Sequence, residues 1–195
     1  MVNINDYFKN SSELIKSLVS HKKKIETICE EILKNKKNKK KILVAGNGGS
    51  CADAEHFVGE LQCTFKDRSR VPISAISLAT MSSALTAWCN DFEFLSFYQR
   101  QVQAHGQEGD ILFLLSTGGG DEKSGASMSL VKAAEEGKKR NMKIISLIGK
   151  NGGELKKILD IFILVESNTT SLIQEAHMSI LHFICESLDQ TVGNK

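Results

Sequence analysis

The chain has 195 residues, of which 41% are apolar and 25% are charged, and its formal net charge at pH 7 is +2. This length and composition are typical of one globular domain with a sizeable core, which we expect to cover residues 1–195. The small net charge gives no argument for a polyanionic partner, and no apolar run reaches the ~20 residues of a membrane-spanning helix. We therefore expect neither nucleic acid nor a membrane as a partner.

The cysteines indicate a reducing compartment. There are five of them, an odd number, and no two form a CxxC motif. Most stand in apolar surroundings, so we interpret them as reduced core thiols. The first ten residues, MVNINDYFKN, do not have the pattern of a signal peptide. These observations predict a cytoplasmic location.

Residues 4–35 predict two helices, because apolar residues recur there at helical spacing in two stripes. The stripes are Ile4, Tyr7, Phe8, Leu14, Ile15, Leu18 and Val19, then Ile25, Ile28, Cys29, Ile32 and Leu33. Both helices need an apolar partner, for which another subunit is one candidate. The basic run 34–41, KNKKNKKK, has phosphate or nucleic-acid binding as one interpretation. A solvated loop between helix and strand is the commoner reason for such a run.

The stretch 41–64, KILVAGNGGSCADAEHFVGELQCT, predicts a strand, a glycine turn and a helix. Glycines let backbone N–H groups approach an anion closely, and a helix N-terminus adds partial positive charge. On the predicted helix His56 and Glu60 are four residues apart, and hence on one face. The alternative is a plain strand-to-helix turn followed by a surface ion pair.

Strands and helices alternate through the rest of the chain. We predict strands over residues 72–78, 110–115, 143–148 and 159–166, and helices over 82–89, 92–102, about 130–141 and 172–189. Asn90 and Asp91 are predicted to form a turn. This alternation predicts a mostly parallel sheet that is covered on both faces.

Two glycine turns, GNGGS and STGGG, come directly after predicted strands. Because ligands in such folds bind outside the carboxyl ends of the strands, these turns favour an anion site over the plain turn. The dinucleotide fingerprint GxGxxG and the phosphate-loop motif GxxxxGK[ST] are both absent.

The last predicted helix carries Gln174, Glu175, His177 and His182. Gln174 and His182 are two turns apart, about 12 Å along the axis at 1.5 Å per residue, so their spacing alone is weak evidence for a metal site. A core-edge histidine bonded to a backbone carbonyl is the alternative for His182. We expect His177 to be structural and Glu175 to belong to an ion pair.

Five stretches carry a family resemblance: GNGGSCADAEHFVGEL, LTAWCNDFEF, YQRQVQAHGQEGDILFLLSTGG, SLIGKNGG and IQEAHMSILH. They resemble the phosphoheptose isomerases, members of the sugar isomerase (SIS) domain family that act on sedoheptulose 7-phosphate. The resemblance is collinear over about residues 41–189 and includes the N-terminal helix pair. It implies one SIS domain with an α/β fold, a flavodoxin-like three-layer α-β-α sandwich around a five-stranded parallel sheet. Residues 1–40 would then serve oligomer packing, and residues 41–195 would form the sheet domain.

The resemblance also implies a set of functional residues, matched position by position. One zinc ion per subunit would be held by His56, Glu60, Gln174 and His182, and Glu60 and His182 would also be the catalytic base and acid. A carboxylate bound to zinc is a poorer base than a free one, so whether Glu60 is base, ligand or both is left open by the sequence. Substrate contacts are implied at Asn47, Gly48, Gly49, Ser50, Glu60, Asn90, Asp91, Ser116, Thr117, Gly118, Ser124 and Gln174. A homotetramer with active sites at the subunit contacts is implied as well.

The chain departs from the family pattern on the phosphate side. An insertion of about six residues follows Thr117, and either Ser124 or Ser127 replaces a family serine there. Thr64, Met81 and Leu172 stand where relatives often have Arg, Asp and a basic residue, respectively. These departures leave the exact substrate open, and they do not touch the four implied metal residues.

The implied activity is an aldose–ketose isomerisation of sedoheptulose 7-phosphate to D-glycero-D-manno-heptose 7-phosphate, for lipopolysaccharide or capsule heptose biosynthesis. Reaction through an enediol needs a base at carbon, a proton carrier for the oxygens and a group that polarises the carbonyl. A carboxylate, an imidazole and Zn²⁺ supply these parts. The alternative is a non-catalytic SIS protein that binds a replication initiator or senses a sugar phosphate. Such relatives tend to lose the His and Glu residues, which are present here.

Overall fold

The computed structural model describes residues 2–192. Its first two helices are α1, Ile4–Ser17, and α2, Lys22–Lys37, joined by a short 3₁₀ turn at Leu18–His21. Helix α1 begins after Asn3, whose side-chain oxygen accepts hydrogen bonds from two backbone N–H groups of the first turn. The predicted helix pair is therefore confirmed.

Five parallel strands form one sheet. They are β1, Ile42–Gly46; β2, Ala75–Ser77; β3, Ile111–Ser116; β4, Lys143–Gly149; and β5, Ile161–Val165. Their order is β2-β1-β3-β4-β5. The chain adds β2 on one side of β1 and then adds β3, β4 and β5 on the other side, so the strand order reverses between β1 and β3. Ligands in such folds bind outside the carboxyl ends of the strands at this point. The two predicted glycine turns follow these two strands.

Helices cover both faces of the sheet. They are α3, Gly49–Gln62; α4, Ser82–Asp91; α5, Phe97–His105; α6, Met128–Lys139; and α7, Thr170–Val192. One apolar core lies between the sheet and α2, α3 and α7, and a second lies between the other face and α5 and α6. The predicted three-layer α/β sandwich is thus confirmed. Among residues 2–192, no helix combines the length and the apolar character needed to cross a bilayer.

Several local predictions were wrong in their bounds. The helix predicted over residues 92–102 is a 3₁₀ turn at Phe94–Ser96 followed by α5, which extends to His105. Strand β2 has three residues rather than the seven predicted, and Pro72 and its neighbours precede it as irregular chain. Asn90 and Asp91 do not form a separate turn but are the last two residues of α4. The ring of Phe92 stacks on Trp88 one turn earlier, with centroids 4.3 Å apart, which keeps the chain helical up to that point.

Glu175 holds α1 against α7, and among residues 2–192 it does so without the ion pair that the sequence led us to expect. Its two carboxylate oxygens accept hydrogen bonds from the hydroxyls of Tyr7 and Ser11, each at 2.6 Å. Helix α1 has no buried residue of its own, so these polar contacts are a principal attachment of this helix to the domain.

Candidate active site

The first glycine turn joins β1 to α3 with only two residues, Asn47 and Gly48, between them. Gly48 has φ +57° and ψ −124°, a backbone conformation that residues with a Cβ rarely adopt. The turn therefore delivers the N-terminus of α3 directly to the carboxyl end of β1, where the partial positive charge of a helix N-terminus favours an anion. Ser50, in the first turn of α3, is buried.

The second glycine turn lies beside the first, because β3 is paired to β1 up to Leu115 and Gly46. The Ser116 hydroxyl oxygen accepts a hydrogen bond from the Gly119 N–H at 2.9 Å, which shapes this turn. Gly119 has φ +73° and its Cα lies against the backbone of Gly152, so no side chain fits there. Thr117 and Gly118 are half-buried at the crevice between the two turns.

Helices α3 and α7 bring three of the four predicted metal residues together. His56 Nε2 lies 3.1 Å from Glu60 Oε1, and the His56 ring meets the His182 ring edge-on with centroids 5.2 Å apart. Phe65 stacks on the other side of His182 at 5.6 Å. The Glu60 side chain is 24% exposed and that of His56 is 46% exposed, so both can be reached from solvent.

Gln174 is placed apart from this group. Its side-chain amide lies against Gly49, at a spot that a Cβ on residue 49 would fill. Gly49 precedes His56 by seven residues, or about 10 Å along the helix axis. Gln174 therefore lies at the glycine-turn end of the contact between α3 and α7, whereas Glu60 and His182 lie towards its other end.

The imidazole nitrogens and the carboxylate oxygens of this donor set are ordinary zinc ligands, whereas the amide of Gln174 is an uncommon one. Among residues 2–192, however, no three His, Cys, Asp or Glu side chains are arranged so that they could hold one ion. Side chains would have to turn for all four predicted ligands to converge. The four-residue zinc site stays a prediction.

The remaining predicted contact residues lie on exposed segments. Asn90 and Asp91 end α4, where the Asn90 amide donates to Asp91 Oδ1 at 2.9 Å. Ser124 lies in the inserted loop and its hydroxyl donates to Asp121 Oδ2 at 2.7 Å. Ser127, the other candidate for the family serine, immediately precedes α6. The choice between these two serines stays open.

Two polar side chains near the turns have a buried oxygen: Asn47 was predicted as a substrate contact, whereas sequence reasoning missed Asp53. The Asn47 amide donates to Ser129 Oγ at 3.2 Å, and Asn47 Oδ1 is buried without a hydrogen-bond partner in the part of the chain described. Asp53 Oδ2 is likewise buried and unpartnered there, and burial raises the pKa of Asp53 although nearby His56 opposes the shift. Asp53 precedes His56 by three residues and Glu60 by seven. This helical spacing was a signal that could have identified it.

His177 is buried, in keeping with the structural role expected for it. This α7 side chain is fully buried. Burial lowers its pKa to about 4, although the backbone of Ile148 acts in the opposite direction and raises it. The His177 imidazole is therefore neutral at physiological pH and forms part of the packed interior of α7, the helix that also carries Gln174 and His182.

Comparisons with known proteins agree with this geometry. Residues 6–149 match the model of the SIS domain family. The chain is 41% identical to a phosphoheptose isomerase of a Nitratiruptor species, over 90% of this chain and 96% of that protein. It is 37% identical to a phosphoheptose isomerase of Helicobacter pylori, over 97% and 95%. A solved phosphoheptose isomerase structure from Francisella tularensis superposes with a TM-score of 0.88 at 32% identity, covering 96% of each chain. One from Neisseria gonorrhoeae gives 0.87 at 31%, covering 96% of this chain and 97% of that one.

Proposed function

This chain belongs to the phosphoheptose isomerase family of SIS domain proteins, and on that premise we propose that it isomerises sedoheptulose 7-phosphate to D-glycero-D-manno-heptose 7-phosphate for heptose biosynthesis. One observation carries the proposal. The paired glycine turns of β1 and β3 lie at the N-terminal end of α3, the helix on which His56 and Glu60 adjoin each other and His56 meets His182 of α7. An anion cradle and an acid–base group are therefore held on the same helix, α3, at a fixed separation.

In this arrangement the phosphate of the substrate lies at the glycine turns and the sugar extends along α3. Glu60 removes a proton from C1, next to the ketone at C2, while the ketone oxygen takes a proton from His182 and an enediol forms. Return of a proton to C2, with loss of the proton on the C1 oxygen, completes the aldose. Asn47 Oδ1, buried and unpartnered among residues 2–192, is an acceptor for a sugar hydroxyl. The hydrogen bond between His56 and Glu60 orients the carboxylate.

The proposal includes one zinc ion per subunit, held by His56, Glu60, Gln174 and His182. Bound zinc would polarise the substrate carbonyl as a Lewis acid. The support is the nitrogen and oxygen character of the donors and the proximity of three of them. Metal analysis of the purified protein should find about one zinc per chain and a lower content in His182→Ala. Full zinc retention in a His56→Ala, His182→Ala double variant would contradict the zinc site.

We also propose a homotetramer with active sites at its subunit contacts. Helix α1 buries none of its residues and exposes the side chain of Phe8, and Val19 in the following turn is exposed as well. An apolar groove of about 370 Å³ lies between α1, α2 and α7, with Ile15 and Phe183 at its edge. Large exposed apolar patches are rare on monomers, and homo-oligomers cover them symmetrically. The cytoplasmic location stays a prediction of the sequence.

The alternative of a non-catalytic SIS protein gains no support, because the His and Glu residues that such relatives lose are present and adjoin one another. The test is an assay of the purified protein with sedoheptulose 7-phosphate, with zinc supplied and after treatment with a chelator. We expect formation of the aldose, with loss of activity after chelation and recovery on adding zinc. No conversion by a folded, zinc-supplied protein would refute the proposed activity.

A further inference from the structure

A buried ion pair joins the loop that follows α3 to helix α7. Arg70, in the loop before β2, donates through Nε to Asp189 Oδ1 on α7 at 2.5 Å. The two side chains are only 2% and 4% exposed. The residues are 119 positions apart in the chain, so the contact exists only in the folded domain.

The rest of the Arg70 guanidinium caps the C-terminus of α3. Its Nη1 donates to the Leu61 carbonyl at 3.0 Å, and its Nη2 donates to the carbonyls of Glu60 at 2.5 Å and Cys63 at 3.4 Å. The last turn of a helix leaves such carbonyls without partners inside the helix. Helix α3 has no basic residue of its own in that turn. Arg70 therefore fixes the backbone of Glu60 directly.

Asp189 acts on the other side of the pair. Its Oδ2 accepts the backbone N–H groups of Lys66 at 2.5 Å and Asp67 at 2.7 Å. Burial raises the pKa of Asp189, but these two bonds together with Arg70 outweigh it and lower the pKa overall, so the carboxylate is charged. The loop it holds begins next to Phe65, the residue that stacks on His182.

We propose that Arg70 and Asp189 are positioning residues, which hold Glu60 and His182 in place relative to each other where α3 packs against α7. The inference rests on the proposed function, in which those two groups share the proton transfers. A purely stabilising role is a poor explanation for the pair, because buried ion pairs are often replaced by apolar residues of similar volume without loss of stability. The planar fork of arginine suits simultaneous contact with a carboxylate and several carbonyls.

The test replaces the pair with apolar residues of similar size, Arg70→Met with Asp189→Leu. We expect a folded oligomer whose kcat falls about 10- to 100-fold, since misplacement of reacting groups by about 1 Å costs that much. KM should change less than about twofold, because the glycine turns lie at the opposite end of α3. The matched control is Glu186→Ala. It removes the exposed Lys66–Glu186 pair that also joins this loop to α7 at 2.7 Å, and it should leave kcat unchanged.

A second variant, Arg70→Lys, covers the case in which the double variant does not fold. Lysine keeps the charge opposite Asp189 but lacks the fork, so kcat should still fall. The NMR resonance of the His182 ring in ¹⁵N-histidine-labelled protein is a second measurement that does not depend on turnover. This resonance should shift in the variants, because the Phe65 ring that stacks on His182 would no longer be held in position. Folded variants with wild-type kcat and an unshifted His182 resonance would overturn the proposal. If the wild type itself is inactive, the proposed function fails, and the resonance alone then decides the positioning role.

Discussion

Glu60 is held at two places: its carboxylate contacts His56, and its backbone carbonyl accepts a hydrogen bond from Arg70. We predict that Glu60→Gln lowers turnover by about 10²- to 10⁴-fold, the range that a positioned general base contributes. Glutamine keeps the size and one oxygen but cannot accept a proton at neutral pH. The measurement is exchange of the substrate C–H with deuterated water, in which wild type should introduce label and the variant should not.

Glu55→Gln is the matched control for this change. Glu55 lies on the same helix but is exposed, and it is one residue before His56 and hence on another face. Exchange and turnover should stay at wild-type levels in this control. Exchange at the wild-type rate in folded Glu60→Gln would mean that Glu60 is not the base.

His177 links stability to pH. Its pKa is lowered from the ordinary 6.5 to about 4 by burial, so the folded protein binds fewer protons than the unfolded chain between these values. The contribution is fully present above pH 6.5 and is lost as the pH falls from 6.5 towards 4, amounting to roughly 3 kcal/mol in total. Urea unfolding at fixed protein concentration should show this loss in wild type and a shallower one in His177→Leu. Equal pH slopes in the two proteins would contradict the assignment.

At the scale of elements, the position of the Gln174 amide against α3 depends on a glycine at position 49. We predict that Gly49→Ala pushes the Gln174 amide away from the turn, because the new methyl group would occupy its place. Loss of one substrate hydrogen bond costs about 1 kcal/mol, so KM should rise by several-fold to about tenfold. Stability should change little, since the end of a Gln side chain can rotate.

Two comparisons make this prediction specific. Gly59→Ala, on the same helix, places its methyl group in open space and should keep the wild-type KM. Gln174→Ala should raise KM as Gly49→Ala does, and the double variant should be no worse than either single variant. Additive effects would show that the two residues act separately.

The elements were predictable where local pattern decides them. Buried parallel strands are nearly continuous apolar runs, so β3 was found to within one residue at each end. The helical period likewise put His56 and Glu60 on one face. The place of Gln174 and the Arg70–Asp189 pair could not be found in this way, because both depend on how α7 packs against distant parts of the chain. Strand β2 was overestimated because its apolar run continues beyond the residues that pair with β1.

At the scale of the whole molecule, the two ends of the sheet differ in character. The two glycine turns lie at the carboxyl end, and the basic run 34–41 lies at the amino end. Lys34 and Lys37 belong to the last turn of α2, where cations complement the helix dipole. Lys41 pairs with the buried Asp110 at 2.6 Å. The predicted solvated loop was therefore wrong for residues 34–37, which belong to α2. Helix termination and one ion pair account for much of this run, and the absence of a nucleic-acid partner stays a prediction.

The exposed apolar surface of the N-terminal helices predicts that the chains assemble. We predict that wild type sediments as a tetramer and that Ile15→Glu, at the edge of the apolar groove, dissociates it. Ile15 is 40% exposed in the single chain, so a carboxylate is tolerated there before assembly but would be desolvated at a subunit contact. Activity should fall together with the tetramer, because the active sites are proposed to lie at subunit contacts.

Glu13→Lys provides the control for this dissociation. It changes the charge of the same helix two residues earlier, on nearly the opposite face, and should leave both the tetramer and its activity intact. Sedimentation velocity and turnover are measured on the same samples over a range of concentrations. A dissociated Ile15→Glu protein with full activity would show that each chain holds a complete site, which would refute the placement of the active sites at the contacts. A wild-type protein that sediments as an active monomer would refute the assembly itself.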